Sequence, residues 1–363
     1  MKTKENEVSG FSLVEAMIAM TILLVILGGV FSAFKSLSDV NVASLQAFDR
    51  SHNLQTGLNL IRRDLQRGTS IIPNEGLPLV GNDWGGANRC IINSGNAVAC
   101  PNPLPAGDTV ILLPKGTSAA GRNGMPAGVN FVFDAITPLT VNGKNAISII
   151  YADSFARNIR VQLTNTTTAG FFEVTPAATA TADMIAGFRT IQRGDIISVN
   201  GGTINGFLHV TQEPNSLPSI RCGNNDNTGF NGTQIPIMVN TLGPVEFEIS
   251  LVRRVTYFLQ DMPDEEDSGK TVKWLMRQVN LKPAVELIPG VINLDFDYNI
   301  ALPGGGTVTS FNVANPTPLQ TRDIRMVNVY IENASLLPGA DGNYASSSAT
   351  TSVAVRRYVD TFN

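Results

Sequence analysis

The sequence predicts an α+β protein in which one long N-terminal helix, apolar in its first half and amphipathic in its second, packs on an antiparallel, β-rich head. Three observations predict it. Residues 11–34 form an apolar run in which Glu15 is the only charge. Beyond Lys35, apolar residues recur at mostly three-to-four spacing as far as Leu65. After Gly68 the period changes to two, in runs separated by stretches rich in Gly, Pro and Asn.

The elements follow in order. Residues 1–10 are a polar leader whose side chains cancel in charge, Lys2 and Lys4 against Glu5 and Glu7. The 24 residues from Phe11 to Phe34 suffice to span a bilayer, which takes about 20. A secretory signal would instead have a shorter apolar core with its cleavage site after it. Placing an unpaired carboxylate such as Glu15 at membrane depth costs about 2.5–3.5 kcal/mol, so its presence needs a reason. Residues 35–68 continue the helix. Leu37, Val40, Phe48, Leu54, Leu58, Ile61 and Leu65 alternate with Asp49, Arg50, Arg62, Arg63 and Asp64, and Gly68 stops the run after Arg67. From Phe11 to Arg67 is 57 residues, about 85 Å of continuous helix. Gly28 and Gly29 either permit local melting or allow close helix packing.

Residues 69–363 make the head. Strands are expected at Thr109–Leu113, Asn130–Phe133, Ile147–Tyr151, Asn158–Leu163, Asp195–Val199, Phe207–Thr211 and Ile235–Val239. Longer ones follow at Val245–Gln260, Thr271–Leu281, Val291–Tyr298, Ile324–Ile331 and Thr351–Tyr358. Only 15% of the chain is charged and the net charge is −4, with no basic tract, so nothing favours direct binding of nucleic acid.

No catalytic inventory emerges, and neither an enzyme nor a cofactor is expected. His52 falls on the amphipathic helix and His209 in a β-type run, with no nucleophile motif near either. Asp261, Asp264, Glu265, Glu266 and Asp267 form a weak calcium candidate. Their spacing does not fit an EF-hand loop, and a solvated hairpin tip is the plainer reading. Asn165, Asn231 and Asn333 head glycan sequons, a pattern short enough to recur by chance.

Gly10-Phe11-Ser12-Leu13-Val14-Glu15, placed at the head of the apolar run, resembles the class III signal peptide of type IV prepilins and pseudopilins. The resemblance implies that a prepilin peptidase cuts after Gly10 and methylates the new amine of Phe11. It implies further that Glu15 pairs with the amine of a neighbouring subunit during assembly. Two unit charges about 4 Å apart are worth about 4 kcal/mol at an effective dielectric of about 20, enough to offset the burial of Glu15 once subunits meet. The leader would stay cytoplasmic, leaving a single-pass protein in the bacterial inner membrane with its head outside. Beyond that membrane the compartment is oxidising. Cys90 and Cys100, which bracket a short turn-rich loop, are the preferred disulfide pair, with Cys222 outside it or bonded to one of them.

Later segments resemble minor pilins of the PilW type and the related pseudopilin J of type II secretion. These are Ile61-Arg-Arg-Asp-Leu-Gln-Arg-Gly, Arg193-Gly-Asp-Ile-Ile-Ser-Val, the Tyr257 strand answered by Trp274-Leu-Met-Arg-Gln, and Ile324-Arg-Met-Val-Asn-Val-Tyr-Ile. The likeness implies a pilin-like fold and partners among other minor pilins, the major pilin and a large pilus-tip adhesin. The leading expectation is a minor pilin that primes a type IV pilus at or near its tip, for adhesion, twitching motility or DNA uptake. The alternatives are a pseudopilin J-like tip subunit and a membrane-anchored binding domain.

Overall fold

The computed structural model describes residues 12–68, 89–92, 98–99, 110–113, 136–164, 170–201, 204–212, 219–223, 231, 239, 242, 245–264, 269–280, 282–301, 307–311, 324–335 and 344–355. A single helix, α1 (Leu13–Arg67), runs unbroken for 55 residues, about 80 Å. Its buried residues are Leu54, Gly57, Leu58, Ile61, Asp64 and Leu65, a face repeating at three and four. Gly68 ends the helix, but in right-handed geometry (φ −56°). Its N–H donates to the Asp64 carbonyl, so the stop does not depend on a left-handed glycine.

The head begins with β1 (Arg89–Ile92), β2 (Val98–Ala99), β3 (Val110–Leu113), β4 (Ile136–Val141), β5 (Lys144–Ala152), β6 (Ile159–Leu163) and β7 (Phe171–Pro176). A short helix, α2 (Ala182–Arg189), is followed by β8 (Ile196–Asn200), β9 (Ile204–His209), β10 (Ile220–Gly223), β11 (Phe247–Pro263), β12 (Thr271–Val279) and β13 (Val285–Pro289). The last four strands are β14 (Val291–Ala301), β15 (Thr307–Phe311), β16 (Ile324–Ala334) and β17 (Ser346–Ala354). They form their own sheet in the order β15-β14-β16-β17, while the strands before them join a second, branched sheet. All pairings among the described residues are antiparallel except β3 with β9. The β4–β5 hairpin turns on Asn142 (φ 53°) and Gly143 (φ 73°), the two positive φ values that a tight primed turn demands.

β11 organises the head. The first part of its 17 residues pairs with β6 and β8, and the later part with β5 and β12. Among the described residues two large hydrophobic cores form along it, beside a small third cluster of Val141, Ala146, Phe258 and Met276. The helix-side core joins Leu54, Leu58, Ile61 and Leu65 of α1 to Val255 and Tyr257 of β11 and to the inner faces of β14 and β16. The far core joins Phe247, Ile249 and Leu251 of β11 to Phe188 of α2 and to β6–β10. Between them β11 carries Arg254, fully buried, with Nε donating to Ser148 Oγ at 2.8 Å. Burial lowers its pKa to about 10.

The α+β class is as expected. The strand bounds shift by a few residues, and β17 begins five residues before its expected start. Ser346–Ser352 reads as linker in composition, yet Ser347, Ala349, Thr351 and Val353 alternate toward the core. Strands β1, β2, β4, β7, β10, β13 and β15 and helix α2 were not expected: Pro138, Pro176 and Pro289 break the strand signal in β4, β7 and β13, the other four strands span five residues or fewer, and α2 spans only 8 residues. Asn130–Phe133 and most of Ile235–Val239 lie outside the described residues, and Val239 itself has helical rather than extended backbone.

Candidate functional site

The site has two ends, both on α1. At the N-terminus Ser12 caps the helix: its Oγ accepts from the Glu15 N–H at 3.2 Å, and the Glu15 carboxylate accepts from the Ser12 N–H at 3.1 Å. This reciprocal capping box, Ser-x-x-Glu, was readable in the sequence and gives Glu15 a second, local role at the positive end of the helix dipole. Gly10 and Phe11 lie outside the described residues. From Leu13 to Phe48 the large apolar side chains stand exposed, Leu13 at 79% and Phe48 at 69%. By length and composition this helix can cross a membrane. It continues unbroken through Gly28 and Gly29, where no part of the described chain beyond the helix's own local turns lies within 4 Å of the place a Cβ would occupy. Among the described residues the arm therefore has no apolar cover.

At the other end Asp64 is fully buried and ringed by donors. Tyr257 donates to Oδ2 at 2.7 Å, Arg277 donates from Nη2 at 2.9 Å and from Nε at 3.2 Å, and the Tyr151 hydroxyl lies 3.5 Å from Oδ1. Tyr257 and Arg277 sit directly opposite each other in the β11–β12 register. Burial, and then the charge of Asp64, push the Tyr151 and Tyr257 hydroxyls above their usual range. Burial pulls Arg277 down, but Tyr257 and Asp64 beside it hold the guanidinium above its ordinary value. A buried carboxylate bonded by a forked guanidinium and phenols is a satisfied pair that becomes costly when one partner is lost. It pins α1 to the sheet.

A family model described as the prokaryotic N-terminal methylation motif matches residues 6–31. The motif supports a type IV pilin or pseudopilin-type precursor. The motif implies processing by prepilin peptidase and assembly with other pilins, and with the apolar arm it implies membrane anchoring. Neither the search of the curated proteins nor that of the solved structures found a match.

The remaining candidates are scattered. Asp261 pairs with Lys144 Nζ at 2.7 Å, and the Asp264 N–H bonds the Lys270 carbonyl at 2.9 Å. Glu265, Glu266 and Asp267 lie outside the described residues. No group of three or more possible metal-ligating side chains occurs among the described residues. Cys100 and the side chain of Cys90 lie outside them too, and Cys222 is buried in the far core. His52 stacks on Phe48 at 6.2 Å, and the His209 backbone is bracketed by Asn231. Asn231 is fully buried and its amide bonds the backbone of His209 and Gly223, which bars a glycan from the folded chain. Asn333, 2% exposed, is closed in the same way. Sequence reasoning missed the ring around Asp64. Its signal is the helical phase that Asp64 shares with Ile61 and Leu65.

Proposed function

We propose that this chain is a minor pilin that primes assembly of a type IV pilus and sits at or near its tip, serving adhesion, twitching motility or DNA uptake. The observation that carries the reading is the exposed apolar arm from Leu13 to Phe48, headed by the methylation motif and pinned through Asp64 to a head with two cores. The arm supplies the surface that neighbouring helices cover. The 295 residues from 69 to 363 make a bulky head, and bulk is tolerated where few neighbours surround it, at an end of the filament. On this reading Gly10 is the cleavage residue, Phe11 the methylated N-terminus and Glu15 the assembly charge. Other minor pilins, the major pilin and a large tip adhesin are the partners, and the chain performs no catalysis and takes no cofactor.

Deleting the gene is expected to cut surface piliation and motility, and complementation with Glu15→Ala to leave the leader cleaved but piliation unrestored. Normal piliation in the deletion strain overturns the priming role. The motif serves pseudopilins equally, so the competing reading is a pseudopilin J-like tip subunit. Loss of protein secretion with intact pili would select it. A Glu15→Ala chain that functions normally would select a membrane-anchored binding domain instead.

A further inference from the structure

We infer that the outer edge of β17 is a docking site for an extended, cationic segment of a partner protein, which adds a fifth strand to the C-terminal sheet. Among the described residues β17 pairs with β16 alone, through nine residues in unbroken register. Exposed strand edges are normally guarded by charge, proline or bulges. Among the described edges β4 carries Pro138, β10 carries Arg221, β13 carries Glu286, Pro289 and a register shift, β15 meets β14 through another shift, and β2 is only two residues long. β17, with the sequence Ser-Ser-Ser-Ala-Thr-Thr-Ser-Val-Ala, has none of these. Its inner side chains face α1, while Ser346, Ser348, Thr350 and Ser352 point outward and are exposed. A flat, uncharged nine-residue edge suits backbone pairing with another chain.

The outer face of the same sheet sets the chemistry of that chain. Ser348, Thr350 and Ser352 continue rows through Glu332, Tyr330 and Asn328 to Asn293, Asp295 and Asp297. Among the described residues Asp295, Asp297 and Glu332 make no ion pair and no donor reaches the buried Asn328 Oδ1. The face is rich in acceptors and negative charge. With strands about 4.8 Å apart, an added strand would lie about 10 Å from β16 and about 14 Å from β14. At that range the acids steer a cationic segment rather than grip it, and salt screens the effect. The inference holds for either filament reading, because it needs only the edge and the acids behind it.

The test uses the full chain in a neutral detergent with two synthetic nine-residue peptides, one alternating threonine and lysine, the other threonine and glutamate. Hydrogen exchange is expected to show protection appearing in Ser346–Ala354 with the lysine peptide, which at low salt binds about tenfold more tightly than its glutamate counterpart. Thr350→Lys or Ser352→Lys, both on exposed positions that leave the β16 pairing intact, should weaken binding about tenfold. Asp297→Asn with Glu332→Gln should erase the preference between the peptides. Absence of protection in β17, equal binding of both peptides at low salt, or occupation of the edge by a second copy of the chain overturns the proposal.

Discussion

The helix-side core and the far core bury similar side chains, yet they are closed differently. The far core is apolar throughout: Phe172, Phe188, Ile197, Leu208 and their neighbours fill it, with Cys222 the most polarisable member. The helix-side core contains Tyr151, Tyr257 and Tyr298, and it is closed by the ring of donors on Asp64. One core needs only shape. The other needs a particular helix, in a particular rotation, delivering one carboxylate. A helix that must also carry a free apolar arm gains from such a fixed seat, since apolar packing alone tolerates slippage by a turn.

The difference can be broken at Asp64. Asp64→Ala strands Arg277 and the tyrosines, and it is expected to destabilise the helix-side core by about 3–5 kcal/mol. Hydrogen exchange should show protection lost in β12, β14 and β16 before β6–β8 respond. A weaker test compares two glycines. A Cβ at Gly187, in the far core, would meet the Phe155 backbone carbonyl at 2.6 Å, whereas one at Gly57 would meet the tip of Ile288. Gly187→Ala should cost about 1–3 kcal/mol of overpacking in urea unfolding. Gly57→Ala should be close to neutral, because a helix propensity gain of about 1 kcal/mol offsets a side chain that can turn aside.

Alkaline pH separates the cores without mutation. Burial raises the folded pKa of Tyr151, Tyr257 and Tyr298, with nearby Asp residues adding to it, and all three belong to the helix-side core. Unfolded tyrosine ionises at about pH 10. Stability is therefore unaffected below that value and falls as pH rises above it, so the helix-side core should melt first, with tyrosinate absorbance appearing together with loss of protection. The smallest effect is at acid pH. Burial pushes Asp153 up, but the hydrogen bond and charge of Arg253, and the Phe155 N–H, hold it below the usual range. Its contribution, under about 1 kcal/mol for a partly solvated pair, is present above about pH 3.9 and is lost as pH falls through the lower folded value. Arg253→Gln should flatten the acid limb of a thermal melt profile.

What the sequence made legible follows the strength of periodicity. The helix to Arg67 was readable because apolar residues keep one phase for many turns, and β11 because Val245–Leu251 alternates and Tyr257–Leu259 is apolar. The opposition of the Tyr257 and Arg277 strands was also readable, as two runs joined by an acidic turn. Their meeting with Asp64 was not, because residues 62–64 carry three charges in a row and such runs usually face solvent. The division into two cores was hidden too: alternation says that a strand has an inside, not which interior it shares. At the N-terminus, Ser12 and Glu15 were legible as an assembly signal and overlooked as a cap, one pattern answering two physical demands.

The seventeen-residue reach of β11 has a mechanical corollary. A tug on the outer lobe would travel lengthwise down one extended rod whose neighbours resist by sliding, the stiff direction of a sheet, rather than by unzipping one bond at a time. The strain would arrive at Tyr257, one 2.7 Å hydrogen bond from Asp64 on the long helix, so a pull on the outer strands would pass to the helix with little slack between.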